Sequence, residues 1–227
     1  MLEVFACRLP QVHSEVTLHH YSDYLPPLKR TQIHRYRRIE DAYRTLVGYL
    51  LLRKILMKKL PKVDFTKLEF SKYGKPFLNA DPFPPFSLSH SGDWCVCAVG
   101  TDGMVGIDLE KITKPKPELH SLLFREEEEC MGAKDFFNRW TIKESYLKAI
   151  GTGLHIDLQE IELEEKNRSE FDVNHQQKRY PGGKVKVYNL LKQYSLSICT
   201  LSPEEKLPHH LQLVTFEEII KPSVQTV

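Results

Sequence analysis

Helical spacing of apolar residues is clearest between residues 41 and 60, DAYRTLVGYLLLRKILMKKL, where Leu46, Tyr49, Leu50 and Leu56 share one stripe. Asp41 stands at its start and Pro61 just past its end, so the pattern predicts one long helix with a core-facing stripe. Between Phe86 and Glu110 the period changes to two. FSLSHS, WCVCAV and MVGIDLE read as short strands, punctuated by Ser91-Gly92-Asp93 and Asp102-Gly103, and predict an antiparallel meander. Residues 136–150, FFNRWTIKESYLKAI, return to helical spacing through Phe136, Trp140, Tyr146 or Leu147, and Ile150, with Gly151-Thr152-Gly153 as the stop. LHIDLQEIELE and VKVYNLLKQYSLSICTL then alternate as strands, with the polar stretch 164–183 expected as an exposed turn between them and the tail from Pro203 at the periphery. No internal repeat or low-complexity linker marks a boundary.

A chain of 227 residues with 41% hydrophobic content can bury a full core, as one large domain or two small packed ones. The formal charge of +2 conceals an asymmetry: residues 29–62 carry eleven Lys or Arg against Glu40 and Asp41 alone, a stretch suited to an anionic ligand as well as to a solvated helix face. Five cysteines without a C-x-x-C pair exclude a tetrahedral zinc site of the usual spacing. Cys95 and Cys97 alternate in an apolar run, as small hydrophobes on one strand face do. No basic-then-apolar leader opens the chain and no apolar run nears the roughly 20 residues of a membrane span, so a cytoplasmic protein is expected.

Candidate chemistry begins at Gly106-Ile107-Asp108-Leu109-Glu110. Period-two geometry sends Val105, Ile107 and Leu109 to one face and Gly106, Asp108 and Glu110 to the other, with Gly106 expected to leave that face open. Two carboxylates about 6–7 Å apart at their roots can converge on one hard cation, and oxygen ligands favour Mg²⁺ or Mn²⁺. Alone, the pair equally describes a solvated strand end. In Trp140-Thr141-Ile142-Lys143-Glu144-Ser145-Tyr146-Leu147-Lys148, Glu144 and Lys148 stand four apart on one helix face, which by itself also describes a surface ion pair.

The two motifs together, in this order and about thirty residues apart, resemble the signature of the surfactin-synthetase-type 4′-phosphopantetheinyl transferases. Residues 40–48 (EDAYRTLVG), Tyr73-Gly74-Lys75-Pro76 and Ser87-Leu88-Ser89-His90-Ser91-Gly92 extend the resemblance over residues 25–155. It implies an α/β (α+β) fold of two similar halves, 1–105 and 106–227, about a pseudo-twofold axis with coenzyme A in the cleft between them. It further implies that Asp108, Glu110 and Glu144 hold Mg²⁺, or Mn²⁺, with the pyrophosphate of coenzyme A, the substrate. A serine of an apo acyl or peptidyl carrier protein would attack the β-phosphorus, Glu144 acting as base and Lys148 neutralising or protonating the leaving phosphate. Lys29, Arg44, Lys75 and His90 match basic positions that contact the phosphates of coenzyme A, and Ser89 beside His90 joins them. A monomer with no nucleic-acid or membrane partner is expected.

Gln32 departs from the pattern, since related chains can carry lysine there; one adenosine-phosphate contact is then lost or moved to a neighbouring arginine of Arg35-Tyr36-Arg37-Arg38. Leu119, Leu122, Leu123 and Phe124 offer either an apolar carrier-docking patch or the core of a short helix. Two rival readings remain: a Mg²⁺-dependent nuclease or phosphohydrolase, and a non-catalytic module for an acidic protein. Against the first, E-x-x-x-K lies on a helix rather than beside D-x-E on a strand. Against the second, a binding face needs no set of metal carboxylates.

Overall fold

A computed structural model describes residues 1–78, 83–101, 103–125, 128, 130–189 and 191–221. The first half runs through β1 (Glu3–Arg8), α1 (Glu15–Ser22), α2 (Pro27–Ile33) and α3 (Ile39–Lys59). Short strands β2 (Glu69–Phe70) and β3 (Pro76–Phe77) pair with each other, and β4 (Phe86–Ser91) and β5 (Trp94–Val99) form a hairpin. The second half follows with β6 (Val105–Lys111), α4 (Pro117–Leu123) and α5 (Ala133–Ile150), then β7 (Ile161–Asn167), β8 (Glu170–His175), β9 (Gly183–Tyr188) and β10 (Tyr194–Thr200). The last elements are β11 (Gln212–Val214) and α6 (Phe216–Ile220).

Both sequence-predicted helices form. Helix α3 begins two residues before Asp41 and buries more than one stripe, because α1, α2 and α6 pack on it as well as the sheet. Helix α5 ends where expected: Gly151 takes the left-handed conformation, φ 80°, and its N–H closes on the Leu147 carbonyl at 2.8 Å.

The expected meander does not form. Strand β5 is paired with β1 on one edge and β4 on the other, so no edge remains for β6, which instead opens a second sheet beside β10. The strand orders are β11-β1-β5-β4 and β6-β10-β9-β8-β7. Stretch 164–183, expected as a turn, contains the end of β7 and all of β8, whose polar composition hides their pairing. Of LHIDLQEIELE only residues from Ile161 are strand, since Asp157 caps a 3₁₀ turn over Leu158–Glu160 through the Gln159 N–H. VKVYNLLKQYSLSICTL is two strands, β9 and β10, reversing before Tyr194 with Gln193 at φ 66°. The Asp102-Gly103 turn lies partly outside the described residues, with Gly103 at φ +69°.

The tail is not peripheral either. Strand β11 pairs parallel to β1 and α6 buries Phe216 and Ile219 in the first half's core. Three apolar layers result. Helix α3 covers one face of the first sheet through residues such as Leu46, Leu51, Cys95 and Cys97, and α5 covers one face of the second through Phe136, Tyr146 and Val185. Between them the two sheets meet face to face through Val4, Val96, Ala98, Ile107, Leu109 and Ile198.

The outer edge of β6 is closed by side chains rather than a strand. Its N–H groups at Ile107, Leu109 and Lys111 donate to the hydroxyls of Ser87, Ser89 and Ser91 at 3.1, 3.2 and 3.0 Å. These serines alternate along β4, so they share the face turned toward the second sheet. At the β4–β5 turn Gly92 supplies φ +54°.

Gly106 does not leave its face open. A Cβ there would stand 1.8 Å from the Ser145 carbonyl oxygen and 2.6 Å from the Ala149 nitrogen, because the α5 backbone presses directly on the strand. Gly106→Ala is expected to destabilise the protein by about 3 kcal/mol, the upper end for overpacking, as measured by urea denaturation. An unchanged midpoint would mean that α5 is not seated on β6.

Candidate active site

The close seating of α5 on β6 turns Glu144 and Lys148 toward the strand face that carries Asp108 and Glu110. All four line a cleft of about 620 Å³, together with Lys29, Arg44, Lys75, Ser89 and His90, so every site residue expected from the sequence reaches one space. Helices α2 and α3 with the β2–β3 loop form one wall, β6 and α5 the other, and β4 the floor.

Lys148 reaches Asp108, not the glutamate one turn before it. Its Nζ stands 2.7 Å from Asp108 Oδ1 and 2.9 Å from Ser89 Oγ. Ser89 Oγ also accepts from the Leu109 N–H and donates to Asp108 Oδ1 at 2.9 Å, so this hydroxyl is fully engaged and serves as a hub for strand, carboxylate and ammonium. Ser91, which sequence reasoning left without a role, donates to Glu110 Oε2 at 2.8 Å. Its signal was available in the Ser-x-Ser-x-Ser alternation.

Burial first, then the charge of Asp108, pushes Glu110 and Glu144 up to about 7. Asp108 Oδ2 and Glu144 Oε1 are buried without a hydrogen-bond partner. Among the described residues no three His, Cys, Asp or Glu side chains close round a common point in metal-holding geometry. The donor set nevertheless fits a hard divalent cation: orphaned carboxylate oxygens crowded by like charge are relieved by such an ion.

The cations are held by the protein itself. Arg44 Nε donates to the Gly92 carbonyl at 2.8 Å and its Nη1 pairs with Asp41 at 2.5 Å. Lys75 Nζ donates to the Ala149 carbonyl at 2.8 Å near the C-terminus of α5, so it ties the β2–β3 loop to the opposite wall. Gly74 at φ +81° turns the chain there, and the Lys75 N–H donates to Ser71 Oγ at 3.1 Å. The His90 ring stands open to the cleft, yet desolvation by its walls and then the nearby Lys148 and Arg44 charges pull it below the ordinary histidine value. Lys29 Nζ donates to Gln32 Oε1 at 2.9 Å, and burial lowers its affinity for the proton.

Two buried residues of the second motif hold α5 in place. Thr141 Oγ1 meets Ser195 and Ser197 hydroxyls at 2.9 and 2.7 Å, and Lys143 Nζ donates to the Leu123 and Leu158 carbonyls at 3.1 and 2.9 Å. Neither was distinguishable in sequence from a surface position. Of the apolar run after β6, Leu123 and Phe124 are core and Leu122 is exposed.

Two family models match this chain. The 4′-phosphopantetheinyl transferase superfamily matches residues 104–199, and the N-terminal model described as 4′-phosphopantetheinyl transferase, N-terminal, matches residues 13–102. The 4′-phosphopantetheinyl transferase gsp of Aneurinibacillus migulanus is 33% identical over 88% of this chain and 86% of its own length. Sfp of Bacillus subtilis (strain 168), named a 4′-phosphopantetheinyl transferase, is 27% identical over 96% and 100%. The L-aminoadipate-semialdehyde dehydrogenase-phosphopantetheinyl transferase of Pongo abelii is 33% identical over 62% and 52%. None of these lends support to a nuclease or phosphohydrolase. Among the described residues no helix is long and apolar enough to cross a membrane.

Burial pulls the Lys75 ammonium from the ordinary 10.5 down to about 8. A lysine whose folded value lies below its unfolded one costs stability in full below about 8, and that cost fades as pH rises toward 10.5. The unfolding free energy of the parent should therefore rise relative to Lys75→Met across this interval in urea melts. Parallel traces would mean that the ammonium is not desolvated.

Proposed function

The chain belongs to the 4′-phosphopantetheinyl transferase superfamily, and from that premise we propose that its cleft takes coenzyme A and passes the 4′-phosphopantetheine arm to a serine of an apo acyl or peptidyl carrier protein. The observation that carries the reading is the meeting of three carboxylates on one wall with Lys29, Arg44, Lys75 and His90 around the same space. A ligand with a reacting pyrophosphate and a separate phosphate monoester uses both. The halves divide near residue 105, between the two family matches, with residues 212–220 returning to the first half. We read the protein as a cytoplasmic monomer that engages neither nucleic acid nor membrane.

In this reading Asp108, Glu110 and Glu144 would hold Mg²⁺, or Mn²⁺, Asp108 and Glu144 using the oxygens that have no protein partner. A bound divalent cation supplies charge neutralisation across the pyrophosphate. The remaining work belongs to the side chains. Arg44, Lys75 and His90 bind phosphate oxygens and fix the arm for in-line attack. Glu144 takes the serine proton as the serine oxygen bonds to the β-phosphorus. The bond from that phosphorus to the oxygen of adenosine 3′,5′-bisphosphate breaks, its electron pair leaves with the bisphosphate, and Lys148 stabilises or protonates the leaving oxygen. Ser89 positions both Asp108 and Lys148 for these tasks.

The direct test is intact-mass measurement of several apo carrier proteins incubated with this protein, coenzyme A and Mg²⁺. A gain of one phosphopantetheine on the carrier is expected, and its absence on every carrier would sink the reading.

Glu144→Gln keeps a ligating oxygen but cannot accept the serine proton. At saturating Mg²⁺ and coenzyme A it should turn over about 10²–10⁴-fold more slowly. Recovery of the parental rate on raising Mg²⁺ alone would leave Glu144 as a ligand and not a base.

A further inference from the structure

Gln32 was expected to cost a phosphate contact or shift it to a neighbouring arginine. Among the described residues, Arg35, Arg37 and Arg38 are exposed and none lines the cleft. Gln32 instead joins a chain of hydrogen bonds along the α2–α3 wall. Lys29 is only a donor, so its 2.9 Å contact identifies the Gln32 oxygen and turns the amide nitrogen to the Tyr36 hydroxyl oxygen at 2.8 Å. Thr45 Oγ1 donates to the same oxygen at 3.1 Å. A phenol oxygen that accepts twice has spent its lone pairs, and its own O–H must find an acceptor elsewhere. Among the described residues it has none, and Tyr36 lines the cleft.

We infer that the Tyr36 hydroxyl is a specificity-determining group that donates to the phosphate monoester of coenzyme A, in place of a cation at residue 32. This rests on the reading of the cleft as a coenzyme A site and names a residue that neither motif contains. Charge decides which phosphate it meets. The reacting pyrophosphate belongs with the carboxylate wall and its cation, which leaves the doubly charged monoester for the α2–α3 wall, whose cleft-lining residues include no carboxylate and whose Asp41 is already paired with Arg44. Lys29 reinforces that choice: its ammonium sits over the Tyr49 and Phe70 rings at 5.5 and 4.9 Å, partly stripped of water and two hydrogen bonds from the Tyr36 oxygen. A neutral phenol donor held by such a relay recognises an anion without carrying a competing charge of its own.

Equilibrium dialysis of coenzyme A and dephospho-coenzyme A against the parent, Tyr36→Phe and the double variant Gln32→Lys/Tyr36→Phe tests the assignment, with thermal melts to verify that each variant is folded. Tyr36→Phe should weaken coenzyme A binding about tenfold, as expected for loss of a hydrogen bond to a charged group, and leave dephospho-coenzyme A within about twofold of the parent. The added lysine should restore much of the coenzyme A affinity. Gln32→Leu, which keeps the hydroxyl but loosens its orientation, should show a smaller loss with the same ligand preference. Equal weakening of both ligands, or unchanged coenzyme A binding by folded Tyr36→Phe and Gln32→Leu, would overturn the role of Tyr36 while leaving the coenzyme A site standing. A parent that binds neither ligand would instead remove the coenzyme A reading itself, and this assignment with it.

Discussion

The docking of the free edge of β6 onto the serine face of β4 is the constraint on which the cleft depends. Two buried N–H groups, at Ile107 and Leu109, that would otherwise lie unpaired between two sheets are satisfied by Ser87 and Ser89, and Ser91 continues the pattern to the exposed Lys111 N–H. Each such bond contributes about 0.5–1.5 kcal/mol net, whereas an unpaired buried N–H costs about 1–3 kcal/mol, so the hydroxyls matter more for what they prevent than for what they add. They also set register. Because the serines engage every second residue of β6, a slip by one would turn Asp108 and Glu110 into the apolar layer between the sheets.

That register explains how structural and chemical duties fall on the same residues. Ser89 and Ser91 each accept from the β6 backbone and donate to the carboxylate beside it, so the device that joins the halves also aims Asp108 and Glu110. Gly106 permits the other approach, letting α5 lie against the strand so that Glu144 and Lys148 meet the carboxylates from above. The strain of gathering three carboxylates appears as the raised values of Glu110 and Glu144, with Lys148 offsetting only part of it. Stability and readiness for a cation are in tension here, as in other sites where like charges share a buried space.

Across the cleft the charges are arranged with more slack. Lys75 rests on a backbone carbonyl, which holds the side chain in position without cancelling its charge, whereas Arg44 is held by the Gly92 carbonyl and by the Asp41 carboxylate, which offsets part of its charge. In the proposed reading a phosphate would meet cations already oriented and lose little to reorganisation. Each half alone has only one of the two walls. The return of β11 and α6 to the first half adds a covalent reason for the halves to stay together.

The residue types of the site, their order and their alternation were determined by the sequence alone. Period-two spacing put Asp108 and Glu110 on one face, helical spacing put Glu144 and Lys148 on another, and both long helices were legible because their apolar repeats are local properties of the chain. Where pairing depends on which edges are already taken, the letters were silent: β6 could not join β5 because β1 had filled that edge from nearly a hundred residues away. Strand β8 was hidden and β7 legible only in its first residues, since strands this polar are selected by their neighbours more than by their composition. Only the tertiary structure decided that Lys148 pairs with Asp108, that Gly106 admits a helix rather than a ligand, and that Gln32 bonds to Lys29 and Tyr36. The first two depend on distances between segments far apart in the chain, which packing sets and local sequence does not encode.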